Sequence, residues 1–219
     1  MAKTALIIGA HSDDQALGVG GTIAKLAKDG YEVHIILFFF FLLSHPHKKA
    51  SEIRDIRRDE SEKAKKILGA TSTTFIDIPE LSFKQHREKA RNSIKETIEA
   101  KNPTFIFTHS SWDPHQDHQD VNQIVLSTVD EIETIETSVY VFDIWTVWRF
   151  NQRDIPRLYV DITDTFKKKV KALHEFKSQI NVFSHTVILQ LLYLRVYCSA
   201  LYNGLRAGRI LAEVFYKVR

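Results

Sequence analysis

Cysteine is nearly absent: Cys198 is the only one in 219 residues. That excludes an intramolecular disulfide and leaves nothing for a thiolate metal site, and a reducing cytoplasm is the simplest location. No apolar stretch approaches the ~20 residues that a membrane helix needs; residues 35–43 form the most conspicuous run and fall far short of it. The start, Met1-Ala2-Lys3-Thr4, passes into a strand pattern without the apolar core and small-residue cleavage site of a signal peptide. Neither charge sign dominates, with 30 Lys+Arg against 27 Asp+Glu and a formal net charge of +3. Charge alone therefore gives no reason to expect nucleic-acid or membrane binding, and Lys167-Lys168-Lys169 with Lys171 reads as a solvated helix face. Repeats, low-complexity tails and linkers are also missing. What is present, 44% hydrophobic and 11% aromatic residues, can build one full core, so a single domain over 1–219 is expected.

Strand-length apolar runs alternate with helix-length amphipathic stretches. Strands are expected near 4–9, 32–39, 73–77, 104–108 and 137–143, and helices near 17–29, 51–68, 87–101 and 117–129. Such alternation predicts an α/β fold, a Rossmann-like three-layer sandwich with a mostly parallel sheet. Ligands of open α/β sheets bind beyond the carboxyl ends of the strands.

Two dense polar clusters fall at such ends. His11-Ser12-Asp13-Asp14 follows the first strand, and Asp113-Pro114-His115-Gln116-Asp117-His118 follows the strand containing Phe105-Ile106-Phe107-Thr108. A hydrolytic zinc centre needs three N/O ligands, an open position for water and a nearby carboxylate that is not itself a ligand. The two clusters hold enough imidazoles and carboxylates for that set. Helix capping would account for one carboxylate after a strand, but not for a histidine with two adjacent aspartates. His115 and His118 lie three apart, which puts both on one face if a helix begins there.

At these residues the chain resembles the LmbE/PIG-L-type zinc-dependent N-deacetylases, whose motifs read His-Pro-Asp-Asp-Glu and His-Pro-Asp-His. Here they read His11-Ser12-Asp13-Asp14-Gln15, leading into Gly18-Val19-Gly20-Gly21-Thr22, and His115-Gln116-Asp117-His118. The similarity extends through Arg57-Arg58-Asp59-Glu60, Val160-Asp161-Ile162-Thr163, Lys169, Lys177-Ser178-Gln179 and Ala212-Glu213-Val214-Phe215. It implies zinc held by His11, Asp14 and His118, with other divalent metals open, and Asp13 as the general base. It further implies His115 as a cationic hydrogen-bond donor to the oxyanion, with Asp117 orienting it. Arg57 and Trp112 are candidate substrate-binding residues at the rim. The implied reaction is removal of an N-acetyl group from an N-acetylglucosamine-containing or related small-molecule amide.

Both motif prolines are replaced and Gln15 stands where the family has glutamate, but none of these positions is an implied ligand or base. A larger departure is Phe38-Phe39-Phe40-Phe41-Leu42-Leu43, where relatives carry a polar, glycine-containing loop. Each large apolar side chain left in water costs roughly 1.5 to 3 kcal/mol, so core, subunit or greasy ligand is expected to cover these six. The apolar stretch ending Tyr193-Leu194-Arg195 is expected to be a buried or intersubunit helix, leaving a homo-oligomer open. A catalytically degenerate zinc-binding member and a different metal-dependent hydrolase stay open too. A dinucleotide loop is the least favoured reading, because Gly18, Gly20 and Gly21 lack G-x-G-x-x-G spacing; tight helix packing explains them better. His109 ends a strand facing the clusters and is left as an outer partner of the site. The remaining histidines read as structural or surface residues.

Overall fold

A computed structural model describes residues 3–40, 50–79, 82–132, 135–145, 155–180 and 186–219. Among the described residues seven strands form one sheet in the order β3-β2-β1-β4-β5-β7-β6. The first five are β1 (Thr4–Gly9), β2 (Glu32–Phe40), β3 (Ser72–Pro79), β4 (Phe105–His109) and β5 (Ser138–Phe142), all parallel to their neighbours among these five. The last two, β6 (Arg157–Asp161) and β7 (Ala212–Lys217), add an edge in which β7 is antiparallel to both β5 and β6. The mostly parallel sheet agrees with the alternation in the sequence; the antiparallel edge is a feature that alternation alone does not encode.

Strand alternation sends side chains to both faces. Ala5 and Ile7 pack into one core with α1 (Asp14–Lys28), α2 (Ala50–Leu68), α5 (Phe166–Leu173) and α7 (Thr186–Ala207). Leu6 and Ile8 pack into a second core with α3 (Phe83–Lys101) and α4 (Gln116–Asp130). Helices on both faces of the sheet make the three-layer sandwich. Phe38 is 1% exposed in the second core, with its ring 6.5 Å from Phe83. One of the six greasy residues is thus covered by the chain itself; residues 41–43, like Trp148, lie outside the described residues.

The chain runs β1 to β2 to β3 toward one edge, then returns to place β4 on the other side of β1. That reversal leaves a crevice above the carboxyl ends of β1 and β4, where ligands bind in such sheets. Two helices begin earlier than expected. The first starts at Asp14, so the polar motif is itself the helix N-terminus. The third starts at Phe83, which is buried in the second core. Among the described residues no helix is long and apolar enough to cross a membrane.

Candidate metal centre

The turn from β1 into α1 is closed by its own side chains. The amide of His11 donates to Asp14 Oδ2 at 2.6 Å, and the amide of Leu17 donates to the Asp13 carbonyl at 3.0 Å. A carboxylate in the first helical turn also suits the positive end of the helix dipole. Gly9 lets the strand come close: a Cβ there would lie 3.2 Å from both Asp14 Cβ and Leu37 Cδ2. Burial opposes ionisation of Asp14, but His109 and His118 outweigh it and hold the carboxyl well below the usual range.

The second turn joins β4 to α4 around Asp113, which is fully buried. Its Oδ2 accepts the amides of Ile144 and Trp145 at 2.9 and 3.2 Å. Its Oδ1 accepts the amide of His115 at 3.1 Å and lies 3.0 Å from His118 Nδ1. His115 is the N-cap of α4, and its Nδ1 accepts the amide of Asp117 at 3.2 Å. A ring nitrogen that accepts cannot carry the proton, so His115 is a neutral imidazole with its proton on Nε2. Burial and the neighbouring His11 and His118 charges lower its pKa in the same sense. His115 is therefore a neutral donor, where a cationic one was expected. The Asp117 carboxylate lies on His11, with Oδ2 3.1 Å from His11 Nε2, and not on the His115 ring that it was expected to orient.

His11, Asp14 and His118 are all buried, and one ligand atom from each lies within 4.8 Å of the others. His11, His115 and Asp117 form a second such group. The first has an arrangement characteristic of metal-ligating histidines, whose far nitrogen is held by a carboxylate. Asp117 is hydrogen-bonded to His11 Nε2, and Asp113 Oδ1 lies 3.0 Å from His118 Nδ1. The inner nitrogens, His11 Nδ1 and His118 Nε2, each lie 3.6 Å from an Asp14 oxygen. Both ring nitrogens of His118 are buried without a formed hydrogen bond among the described residues; Nδ1 has Asp113 Oδ1 at 3.0 Å, whereas the nearest Asp14 oxygen to Nε2 is 3.6 Å away, a costly state that a cation would relieve. Two imidazoles and one carboxylate match the donor set of catalytic zinc sites.

The carboxylates of the cluster raise the pKa of two of its histidines. Burial disfavours charge on His11, but Asp117 and Asp14 prevail and push its pKa up to about 10. His118 is likewise raised to about 9, burial being outweighed by Asp14 and Asp113. His109 behaves oppositely. Burial and the charge of His118 push it down to about 4, and its neutral ring stacks on His118 at 3.8 Å between centroids. Its Nε2 accepts the amide of Ala10 at 3.0 Å and lies 2.9 Å from Asp14 Oδ2.

Asp13, the N-cap of α1, makes no capping bond with its side chain. Its pKa is raised by burial and by the Asp14 charge, with Arg57 pulling the other way. Arg57 is thus close enough to act on Asp13 electrostatically, and it is only 4% exposed. Glu60 instead anchors α6 (Lys177–Ile180), accepting the amide and hydroxyl of Ser178, both at 2.7 Å. Gln15 donates to the Ser12 carbonyl at 2.7 Å and to Ser61 Oγ at 3.1 Å, tying the motif to α2. Trp112 packs edge-on against Tyr216 of β7, with centroids 6.1 Å apart.

Further along α1, Gly18 and Gly21 admit neighbours that any Cβ would strike: Phe142 at 2.3 Å and Ile162 at 2.7 Å. Glu213 of β7 accepts the mid-helix amides of Gly21 and Thr22 at 2.9 and 2.8 Å. Lys169 donates to the Leu17 carbonyl at 2.8 Å and to Glu213 at 2.6 Å. The buried ion pair thus engages the helical step between Leu17 and Gly21. Sequence reasoning gave Asp113 no role, although a carboxylate two residues before a histidine that begins a helix is a recognisable turn signal. It read Lys169 as part of a solvated helix face, whereas Lys169 is 3% exposed and paired with Glu213, which the sequence left only as part of a similarity.

A family model described as PIG-L, GlcNAc-PI de-N-acetylase, matches residues 6–129. The chain is 26% identical to 4-oxalmesaconate hydratase of Pseudomonas putida, covering 94% of this chain and 82% of that protein. It is 26% identical to diacetylchitobiose deacetylase of Thermococcus kodakarensis, covering 96% and 81%. Among solved structures, N,N'-diacetylchitobiose deacetylase of Pyrococcus horikoshii superposes with a TM-score of 0.81 at 22% identity, covering 99% of this chain and 84% of that one. A 4-carboxy-2-hydroxymuconate hydratase from Pseudomonas putida gives 0.82 at 24%, covering 99% and 96%.

Proposed function

Because the chain belongs to the PIG-L family, we propose that it is a zinc-dependent hydrolase that removes an N-acetyl group from an N-acetylglucosamine-containing or related amide. The observation that carries this reading is the convergence of His118 Nε2, buried and without a hydrogen-bond partner among the described residues, on Asp14 and His11. Its far nitrogen lies 3.0 Å from Asp113 Oδ1.

His11, Asp14 and His118 would hold the cation, which when bound supplies an acidified water and a Lewis acid for the substrate carbonyl. Asp13 takes the proton from the attacking water. Its raised pKa makes it a better base than an ordinary aspartate, and the protonated acid then returns that proton to the leaving nitrogen. His115 donates from Nε2 to the carbonyl oxygen as negative charge builds there. Asp117 and Asp113 keep the two ligating rings in place. Arg57, beside Asp13, and Trp112, on the β7 side, hold the sugar. One amide and one water give acetate and a free amine, so atoms and protons balance. The cytoplasm and a small-molecule partner fit this reading.

A second reading is favoured by the similarity to 4-oxalmesaconate hydratase: the same water-activating groups would add water to an unsaturated acid. An acetate-release screen over N-acetylglucosamine conjugates, run beside an unsaturated-acid hydration assay, separates the two. Acetate release that is abolished by chelation and restored by zinc is the expected result. A zinc-loaded protein inert toward every N-acetylated sugar overturns the deacetylase reading and leaves the hydratase or a degenerate binding protein.

A further inference from the structure

An open cavity of about 1100 Å³, including the solvent in its mouth, lies between α7 and the β5, β6 and β7 strands. None of the histidines of the metal centre lines it. Its lining carries Arg157, Arg195, Arg206 and Lys169 against Asp143 and Glu213. Lys169 and Glu213 neutralise each other at 2.6 Å. Among the described residues of the lining, the other cationic side chains are Arg157, Arg195 and Arg206, and Arg195 also donates to the Asp143 carbonyl at 3.3 Å.

Two of those guanidinium groups are positioned by aromatic rings. Arg206 lies over Tyr202 at 5.8 Å and donates to its hydroxyl at 3.2 Å. Arg157 lies over Tyr216 at 5.6 Å. A guanidinium held near a ring is restricted in orientation, which lowers the entropy cost of engaging a planar or tetrahedral anion. Tyr159 also lines the cavity, so a ring or aliphatic body has apolar surface to lie on beside the charge.

We propose that this cavity binds an anionic small molecule through Arg157, Arg195 and Arg206, recognising a phosphate or carboxylate whose body packs against the tyrosines. The cavity reaches Leu17 and Gly18, about one turn along α1 from Asp14. It also reaches Asp143, whose chain neighbour Ile144 donates its amide to Asp113. An occupant therefore sits beside the metal centre. It is either a charged substituent of the substrate or a separate anion.

Inorganic phosphate is the first probe, titrated calorimetrically into the zinc-loaded protein at constant ionic strength. Saturable binding is expected, weakened at least about tenfold in Arg157→Gln and in Arg206→Gln, a loss in the range of one charge-assisted contact. Arg206 is exposed, so its replacement tests the site without emptying a core position. The His118→Ala variant, expected to lack the cation, should still bind phosphate, which separates this site from phosphate held by the metal. Absence of saturable binding up to about 10 mM, or equal binding by both arginine variants, overturns the proposal. A second arm rests on the deacetylase reading and compares N-acetylglucosamine with its 6-phosphate. Phosphate competing with the phosphorylated sugar, with KM for that sugar alone raised in Arg206→Gln, identifies a substrate substituent. Phosphate binding without competition identifies a separate ligand.

Discussion

Asp113 Oδ1 lies 3.0 Å from His118 Nδ1, and the same carboxylate collects the backbone amides of His115, Ile144 and Trp145. One buried residue therefore orients an imidazole and fixes the loops on either side of it. Asp113→Asn keeps one acceptor oxygen and exchanges the other for a donor. Its affinity for zinc should fall about 10- to 100-fold, the usual effect of removing such an outer partner. Competition against a chelator of known affinity measures this, and an unchanged affinity would remove Asp113 from the centre.

His118→Ala should abolish stoichiometric zinc, because only two of the three converging ligands remain. Metal analysis of the purified variant against one equivalent in the parent decides it. A variant that keeps one equivalent shows the cation to be held elsewhere, the His11, His115 and Asp117 group being the alternative.

Asp13→Asn should retain zinc and lose catalysis by about 10²- to 10⁴-fold, since the amide keeps the shape but cannot accept a proton. Measuring kcat and metal content on the same sample separates the roles. Full activity sinks the base assignment, and loss of zinc shows Asp13 to be a ligand.

Loading the centre should release protons. In the metal-free protein His11 and His118 are raised to about 10 and about 9, so both are protonated at neutral pH and must lose a proton to ligate. About two protons per zinc should appear at pH 7 in weak buffer, and affinity should weaken as pH falls. The sign for folding is the reverse. These raised values stabilise the metal-free fold fully below the ordinary histidine pKa of about 6.5, and that contribution is lost as pH rises through 9 and 10. Chemical denaturation of chelated protein across that window should show stability declining; a flat or rising profile contradicts the assignment.

Lys169→Met should destabilise the protein by about 3 to 5 kcal/mol, because it strands a buried carboxylate. Lys169→Met combined with Glu213→Gln should recover part of that loss. Urea midpoints of the three proteins test the coupling, and additive losses would show that the pair does not act as a unit.

The sheet and both polar motifs were legible because their signals are local: period-two burial in the strands and clusters of ligating residues at strand ends. The start of α1 was placed three residues late because Asp14 and Gln15 continue the polar cluster and carry no apolar period, while the contacts that justify Gly18 and Gly21 come from Phe142, Ile162 and Glu213, far away in sequence. Asp113 was read only as a member of the second polar cluster, without a role of its own. Two of its partners, Ile144 and Trp145, follow the neighbouring strand β5 and leave no trace in the spacing. The antiparallel setting of β7 was hidden for a related reason, since alternation records which faces are buried and not the direction of pairing. The two charge states of the histidines, neutral for His115 and His109 but raised for His11 and His118, depend on which carboxylate reaches which nitrogen.

The grip of Glu213 on Gly21 and Thr22 also bears on the order of events during synthesis. The helix that presents Asp14 is steadied at its middle by a residue of the last strand, although its own sequence leaves the ribosome early. Most of the chain must therefore emerge before that helix acquires its final anchor. Until then the half-built crevice exposes acidic and imidazole groups without the geometry to keep a cation, so a nascent chain should not capture zinc before β7 has joined the sheet.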